Sequence, residues 1–212
     1  MENKQMKYLG MSAGMWMLFS GSFQKQLVEA LGYDPAAARQ IAKKAKPRYQ
    51  AIIADLPEFE KGDRFQMNVV NCALLGVFAL SCLERPKVEP LTDYYAKVMM
   101  TKPMAWFCRK SGKKKFTEKD IAGMKATARL KAADRNPYSW NMDFFEYPDD
   151  SGYEARFYQC GICTLMKKLG LYDLTPTLCH LDYTVAETGK TTDFVREYIL
   201  ASGGPYCNCG YK

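Results

Sequence analysis

The chain has 212 residues, is 48% hydrophobic and carries a formal net charge of +7. That is length for one sizeable hydrophobic core and too much apolar content for a disordered chain. Residues 1–137 hold 24 Lys/Arg against 13 Asp/Glu (+11), whereas residues 138–212 hold 6 against 10 (−4). The lysines are scattered through helical segments, and the one dense run, Lys113-Lys114-Lys115, reads as a loop, so no nucleic-acid face is expected. Met1-Glu-Asn-Lys does not open an export signal, and the apolar run from Val69 to Leu83 is shorter than the ~20 residues of a membrane span. A cytoplasmic protein without a membrane partner is expected, its eight cysteines free thiols rather than a disulfide framework.

Residues 12–31 read as a helix on the spacing of Phe23, Leu27, Val28 and Leu31, with Gly32 ending it. Asp34-Pro35 supplies a cap acceptor and a first-turn proline for a second helix through Ile41, Ala45, Tyr49, Ile52 and Ile53. Pro47 is expected to bend this helix, which Pro57 and Gly62 close. Residues 65–84 are apolar nearly all round, the pattern of a buried central helix. A short amphipathic helix follows from Leu91 to Met100, residues 104–115 carry no clear pattern, and Thr117 starts a helix to about Ala133.

The character changes at Asn136-Pro137. Tyr138 to Tyr147 is aromatic and partly alternating, Pro148 to Gly152 is a turn cluster, and Tyr153 to Tyr158 reads as a return strand. Cys160 stands where that strand passes into a helix ending at Gly170, and a further helix begins near Leu178 and stops at Gly189. Asp193 to Ala201 and Tyr206 to Tyr211 read as two strands about a Gly203-Gly204-Pro205 turn. Helices first and strands in two hairpins afterwards predict an α+β fold, a helical layer on an antiparallel sheet of about four strands. We expect a single domain, with 1–135 mainly helical and 136–212 carrying the sheet and the site.

Five of the eight cysteines and the single histidine fall in this last part. Cys160 and Cys163 form a C-x-x-C at a helix start, where a thiolate is stabilised, although Cys163 also suits simple core packing one turn on. On a helix Cys179 and Asp182 share a face and His180 leaves it. That pair is either a nucleophile with its acid–base partner or a small buried residue with a polar neighbour. Period two on the last strand puts Cys207 and Cys209 on one face and Asn208 on the other. Convergence of Cys160, Cys179 and Cys207 leaves a zinc site open as the alternative to a cofactor-free thiol site. Arg196 is the expected clamp for a substrate carboxylate, with Trp140 and Tyr183 as pocket walls.

The segments around Cys160 to Leu171, LCHLDY (178–183) and FVREYILASGGPYCNCGY (194–211) resemble the L-2-amino-thiazoline-4-carboxylic acid hydrolase family. Cys160, Cys179, Asp182, Arg196, Gly203 and Cys207 match its pattern, with weaker agreement at RYQAIIADLPEF upstream. Cys207-Asn208-Cys209 stands where the family usually shows Cys-Asp-Phe, so a carboxylate is lost and a thiol gained. The resemblance implies hydrolysis of C–N bonds in a small cyclic amidine carboxylate by ring opening, with Cys160, Cys179, Asp182 and Cys207 as the catalytic set. It also implies a fold akin to vinyl-reductase-like and TRAPP-like domains, some of which bind small molecules or partners. A non-catalytic small-molecule binding domain is the alternative, and a homodimer is compatible with either.

Overall fold

The computed structural model describes residues 10–60, 63–190 and 192–212. Among these residues six helices come first: α1 (Met11–Glu29), α2 (Pro35–Asp55), α3 (Gln66–Ser81), α4 (Val88–Met99), α5 (Lys102–Gly112) and α6 (Glu118–Lys131). Then follow β1 (Asp143–Glu146), β2 (Tyr153–Phe157), α7 (Gly161–Lys168), a 3₁₀ turn, α8 (Thr175–Gly189), β3 (Phe194–Val195), a second 3₁₀ turn and β4 (Cys207–Tyr211). The four strands form one antiparallel sheet in the order β1-β2-β4-β3. The α+β architecture and the two hairpins expected from the sequence are both present.

Local chemistry explains the helix starts. The Asp34 side chain accepts the N–H groups of Ala36 and Ala37 at 2.8 and 3.0 Å, and Pro35 occupies the first turn of α2. Thr117 caps α6 through the Asp120 N–H at 3.2 Å. The core forms where α1 and α2 pack on α3: Phe19, Phe23 and Leu27 meet Ile41, Tyr49 and Phe78, with Phe23 stacked on Phe78 at 4.5 Å. Eleven residues of α3 are buried, so its apolar surround marks a central helix. Among the described residues no helix is long and apolar enough to cross a membrane.

Three expectations need correction. Residues 104–115, unassigned from pattern, are mostly helix: Thr101 caps α5, Pro103 lies in its first turn, and the helix packs along α8, a tertiary contact with little signature in its own sequence. The strand expected over 138–147 shortens to 143–146. Its first residues are held by non-ladder bonds, with the Gln159 amide donating to Ser139 O at 3.4 Å and the Tyr158 N–H to the Asn141 side chain at 3.0 Å. The strand expected over 193–201 shortens to two residues. Beyond Val195 the N–H groups of Glu197 and Tyr198 donate to the Asn208 side-chain oxygen at 3.0 and 2.7 Å instead of to a neighbouring strand. Gly62, expected to close α2, lies outside the described residues, and α2 runs unbroken past Pro47 to Asp55.

Ahead of the sheet, Lys131 donates to Asp63, to Asp134 at 2.6 Å and to the Ser139 hydroxyl at 2.8 Å, all nearly buried. A buried ammonium needs this company, because an unpaired charge in the interior is prohibitive. The cluster anchors the end of α6 to residue 139 and thereby sets where Trp140 enters the interior.

Candidate functional site

A cavity of about 280 Å³ lies where α3, α4 and α6 meet α7, α8 and one face of the sheet. Its volume is at the small end for ligand pockets. The pairs Ala155↔Cys209 and Phe157↔Cys207 lie directly opposite in the β2–β4 ladder, so all four side chains share the cavity face. Asn208, one residue out of phase, takes the other face, as period two requires. Cys160, Cys179, Asp182, Arg196, Cys207 and Trp140 all line the cavity. Tyr183 does not. One residue past Asp182 on α8, it turns about 100° away and packs edge-on against Phe194 at 4.8 Å.

Cys160 is the N-cap residue of α7 and is buried. Its thiol makes no formed cap to the helix. Even so, the Cys163 thiol, the amides of Cys163 and Ile162 and the Trp140 indole N–H favour its thiolate strongly enough to outweigh burial, and they lower its pKa. The hydrogen bond to Cys160 and burial act the other way on Cys163 and raise its pKa. Gly161 makes this placement possible: a Cβ there would stand 2.0 Å from the Tyr138 carbonyl oxygen and 3.1 Å from the Trp140 ring. No bulkier residue lets the start of α7 lie so close to the segment that delivers Trp140.

The opposite wall is organised by Arg196. Its guanidinium donates to Asp182 Oδ2 at 2.5 Å, to Cys209 Sγ at 2.8 Å and to the Cys179 carbonyl at 2.8 Å, while Nε donates to the Asn208 carbonyl at 3.1 Å. The Arg196 side chain is 6% exposed and that of Asp182 is 45% exposed. Arg196 is thus committed to protein partners, and Asp182 is the group with solvent-side freedom. Burial pushes the Cys179 and Cys207 thiols up, and the Cys209 thiol to about 12. These three thiols are protonated at neutral pH, and only Cys160 is drawn the other way.

The Asn208 carboxamide explains the Cys-Asn-Cys ending. Its oxygen accepts the two N–H groups beyond Val195, and its NH₂ donates to Glu154 Oε2 at 3.2 Å in a buried contact. An aspartate could accept the same two bonds but would face Glu154 with no proton to give. The lost carboxylate therefore lies on the side away from the cavity, whereas the gained thiol of Cys209 lies on it, against Arg196.

Cys160, Cys179 and Cys207 come from three separate elements, and Cys207 Sγ accepts the Leu200 N–H at 3.1 Å. Among the described residues no group of three or more His, Cys, Asp or Glu is placed to hold a metal ion. His180 is exposed and lies beside Tyr183, off the shared face of Cys179 and Asp182, as helical phase predicts. All eight cysteines are free.

Residues 88–211, from the start of α4 to the end of β4, match the model of the family described as L-2-amino-thiazoline-4-carboxylic acid hydrolase. The chain belongs to this family. The match covers more than half of the chain and includes Cys160, Cys179, Asp182, Arg196 and Cys207. A hydrolase-like function at the level of the family follows. Helices α1–α3 lie outside the matched stretch, although Asn68 and Asn71 of α3 contribute to the cavity wall. No individual curated protein and no solved structure matches the chain.

Sequence reasoning missed several cavity residues. Phase groups Cys209 with Cys207, and the folded sheet brings it to the cavity. Asn71, Tyr95 and Lys115 line the cavity from segments read as scaffold or loop. Asn71 did leave a trace, as one of the interruptions in the apolar run of α3.

Proposed function

We propose that this protein hydrolyses the amidine of a small cyclic carboxylate such as 2-amino-thiazoline-4-carboxylate, with Cys160 as nucleophile and Asp182 as acid–base group. The observation that carries this reading is the single thiol favoured as thiolate, at a helix N-terminus, on the same cavity as a half-exposed carboxylate. The Cys160 thiolate adds to the carbon between ring sulfur and ring nitrogen. The ring C–N bond then breaks, the nitrogen leaves with a proton as an amine, and the amidine carbon stays on Cys160. Water adds to that carbon, Asp182 accepts a proton from it, and Cys160 departs, so one water is consumed and an S-carbamoyl cysteine is formed. Breaking the ring C–S bond instead gives the N-carbamoyl isomer by the same balance.

In this reading Arg196 positions Asp182, while Cys179, Cys207 and Trp140 shape the cavity. The test is ring opening by the purified protein, coupled to intact-mass analysis of Asp182→Asn during turnover. The expected results are turnover by the wild type and a substrate-derived adduct on Cys160 in the variant. No turnover by the wild type, or full turnover by Cys160→Ser, sinks the assignment.

A further inference from the structure

The cavity holds two polar groups that the reaction above does not use. Asn71 lines the cavity from α3, beside Asn68; its Oδ1 is buried and accepts no hydrogen bond. A buried amide oxygen without a donor is costly and rare in folded proteins. Asn71 lines the same cavity as Cys160 and Cys179.

Lys115 stands at the end of the cavity away from Cys160. Along β4 the cavity face runs from Cys207, opposite Phe157, which lies three residues before Cys160, to Tyr211, opposite Tyr153. The Lys115 ammonium lies 3.5 Å above the Tyr211 ring and donates to the Tyr153 hydroxyl at 3.0 Å. That hydroxyl in turn donates to Asp120 at 2.7 Å, so Lys115 is linked to this carboxylate through Tyr153 and forms no ion pair among the described residues. A cation held on aromatic and hydroxyl groups keeps donors for an anion. Arg196 is spent on Asp182 and Cys209, and Arg64 at the exposed rim donates to Thr127 at 3.1 Å.

We propose that Lys115 and Asn71 are the specificity-determining residues: Lys115 receives the anionic group of the substrate and Asn71 accepts an N–H from its amidine. The substrate class is then a small molecule carrying an amidine-type N–H donor at the reacting end and a carboxylate at the other. This assignment rests on the hydrolase reading and refines it by moving the anion contact from Arg196 to Lys115.

The test compares 2-amino-thiazoline-4-carboxylate with its decarboxylated analogue, 2-amino-2-thiazoline, on wild type, Lys115→Met, Lys115→Arg, Arg64→Met and Asn71→Leu. If the wild type opens neither ring, the hydrolase reading fails and this one with it. If the wild type prefers the acid, Lys115→Met should lower kcat/KM for the acid about 10- to 100-fold, chiefly through KM, and leave the neutral analogue nearly unaffected. Lys115→Arg should restore most of the preference, which a purely structural lysine would not predict. Asn71→Leu should lower kcat/KM on both rings by about tenfold while raising Tm, because the orphaned acceptor is gone. A preference that survives Lys115→Met but disappears in Arg64→Met overturns the lysine assignment. Unchanged kcat/KM together with a lower Tm in Asn71→Leu overturns the asparagine assignment.

Discussion

Two walls of one cavity treat their thiols in opposite ways. At the start of α7, Cys160 is buried yet drawn toward the thiolate, because a neighbouring S–H, two helix amides and an indole N–H favour the charge. Across the cavity, Cys179, Cys207 and Cys209 are pushed up, although Arg196 lies among them. The guanidinium is shared with Asp182 and two carbonyls, so its field is largely answered before it reaches the sulfurs. Burial alone makes an inert thiol; several uncommitted donors at one point make a reactive one.

The comparison breaks most sharply on substitution of the two thiols. Cys160→Ser should lower kcat/KM by on the order of 10³-fold or more, and Cys179→Ser by less than about tenfold, in a steady-state ring-opening assay. The reverse order would place the nucleophile on α8. Next in size is Arg196→Met, which strips Asp182, Cys209 and two carbonyls of a shared donor. A loss of about 2–4 kcal/mol in chemical denaturation is expected, short of the full cost of breaking a buried pair because Asp182 reaches solvent.

Asn208→Asp tests the far face of the sheet. Removing the donor to Glu154 should cost about 1–3 kcal/mol at neutral pH. The added carboxylate, next to Glu154, titrates at a raised pKa in the folded state. The cost should therefore shrink as the pH falls through that raised pKa and grow as it rises. A pH-independent loss would remove the Glu154 contact from the account. The smallest effect sharpens the comparison on the thiolate side. Activity that needs the Cys160 thiolate rises with pH through a pKa below the ordinary thiol range; Cys163→Ala deletes the leading donor and should move that acid limb to higher pH, with little change in the plateau. An unmoved limb would mean that the helix amides and Trp140 suffice.

Much of this protein was legible in its sequence where one element carries its own pattern. Asp34-Pro35, the apolar surround of α3, the hairpin turns and the alternation of Cys207, Asn208 and Cys209 each follow from local capping, periodicity or pleat. The same logic put Cys179 with Asp182 and left His180 outside. Helix α5 could not be read, because what holds it is its contact with α8. Propensity overextends the strands near residues 138–142 and 196–201, because side chains of Gln159, Asn141 and Asn208 capture backbone groups that it assigns to a ladder.

The roles of the charged groups were decided only in three dimensions. Arg196 has the chemistry of a substrate clamp, and only its four internal partners show that its donors are spent. Lys115 sits in a run of three lysines that reads as a solvated loop, and Asn71 reads as a blemish in an apolar helix. Their environments depend on residues far away in the chain, Tyr153 and Tyr211 for the lysine and the thiol wall for the asparagine. Period and propensity describe what a residue does within its own element. Which donors remain free at a cavity is set by elements that meet only when the chain is folded.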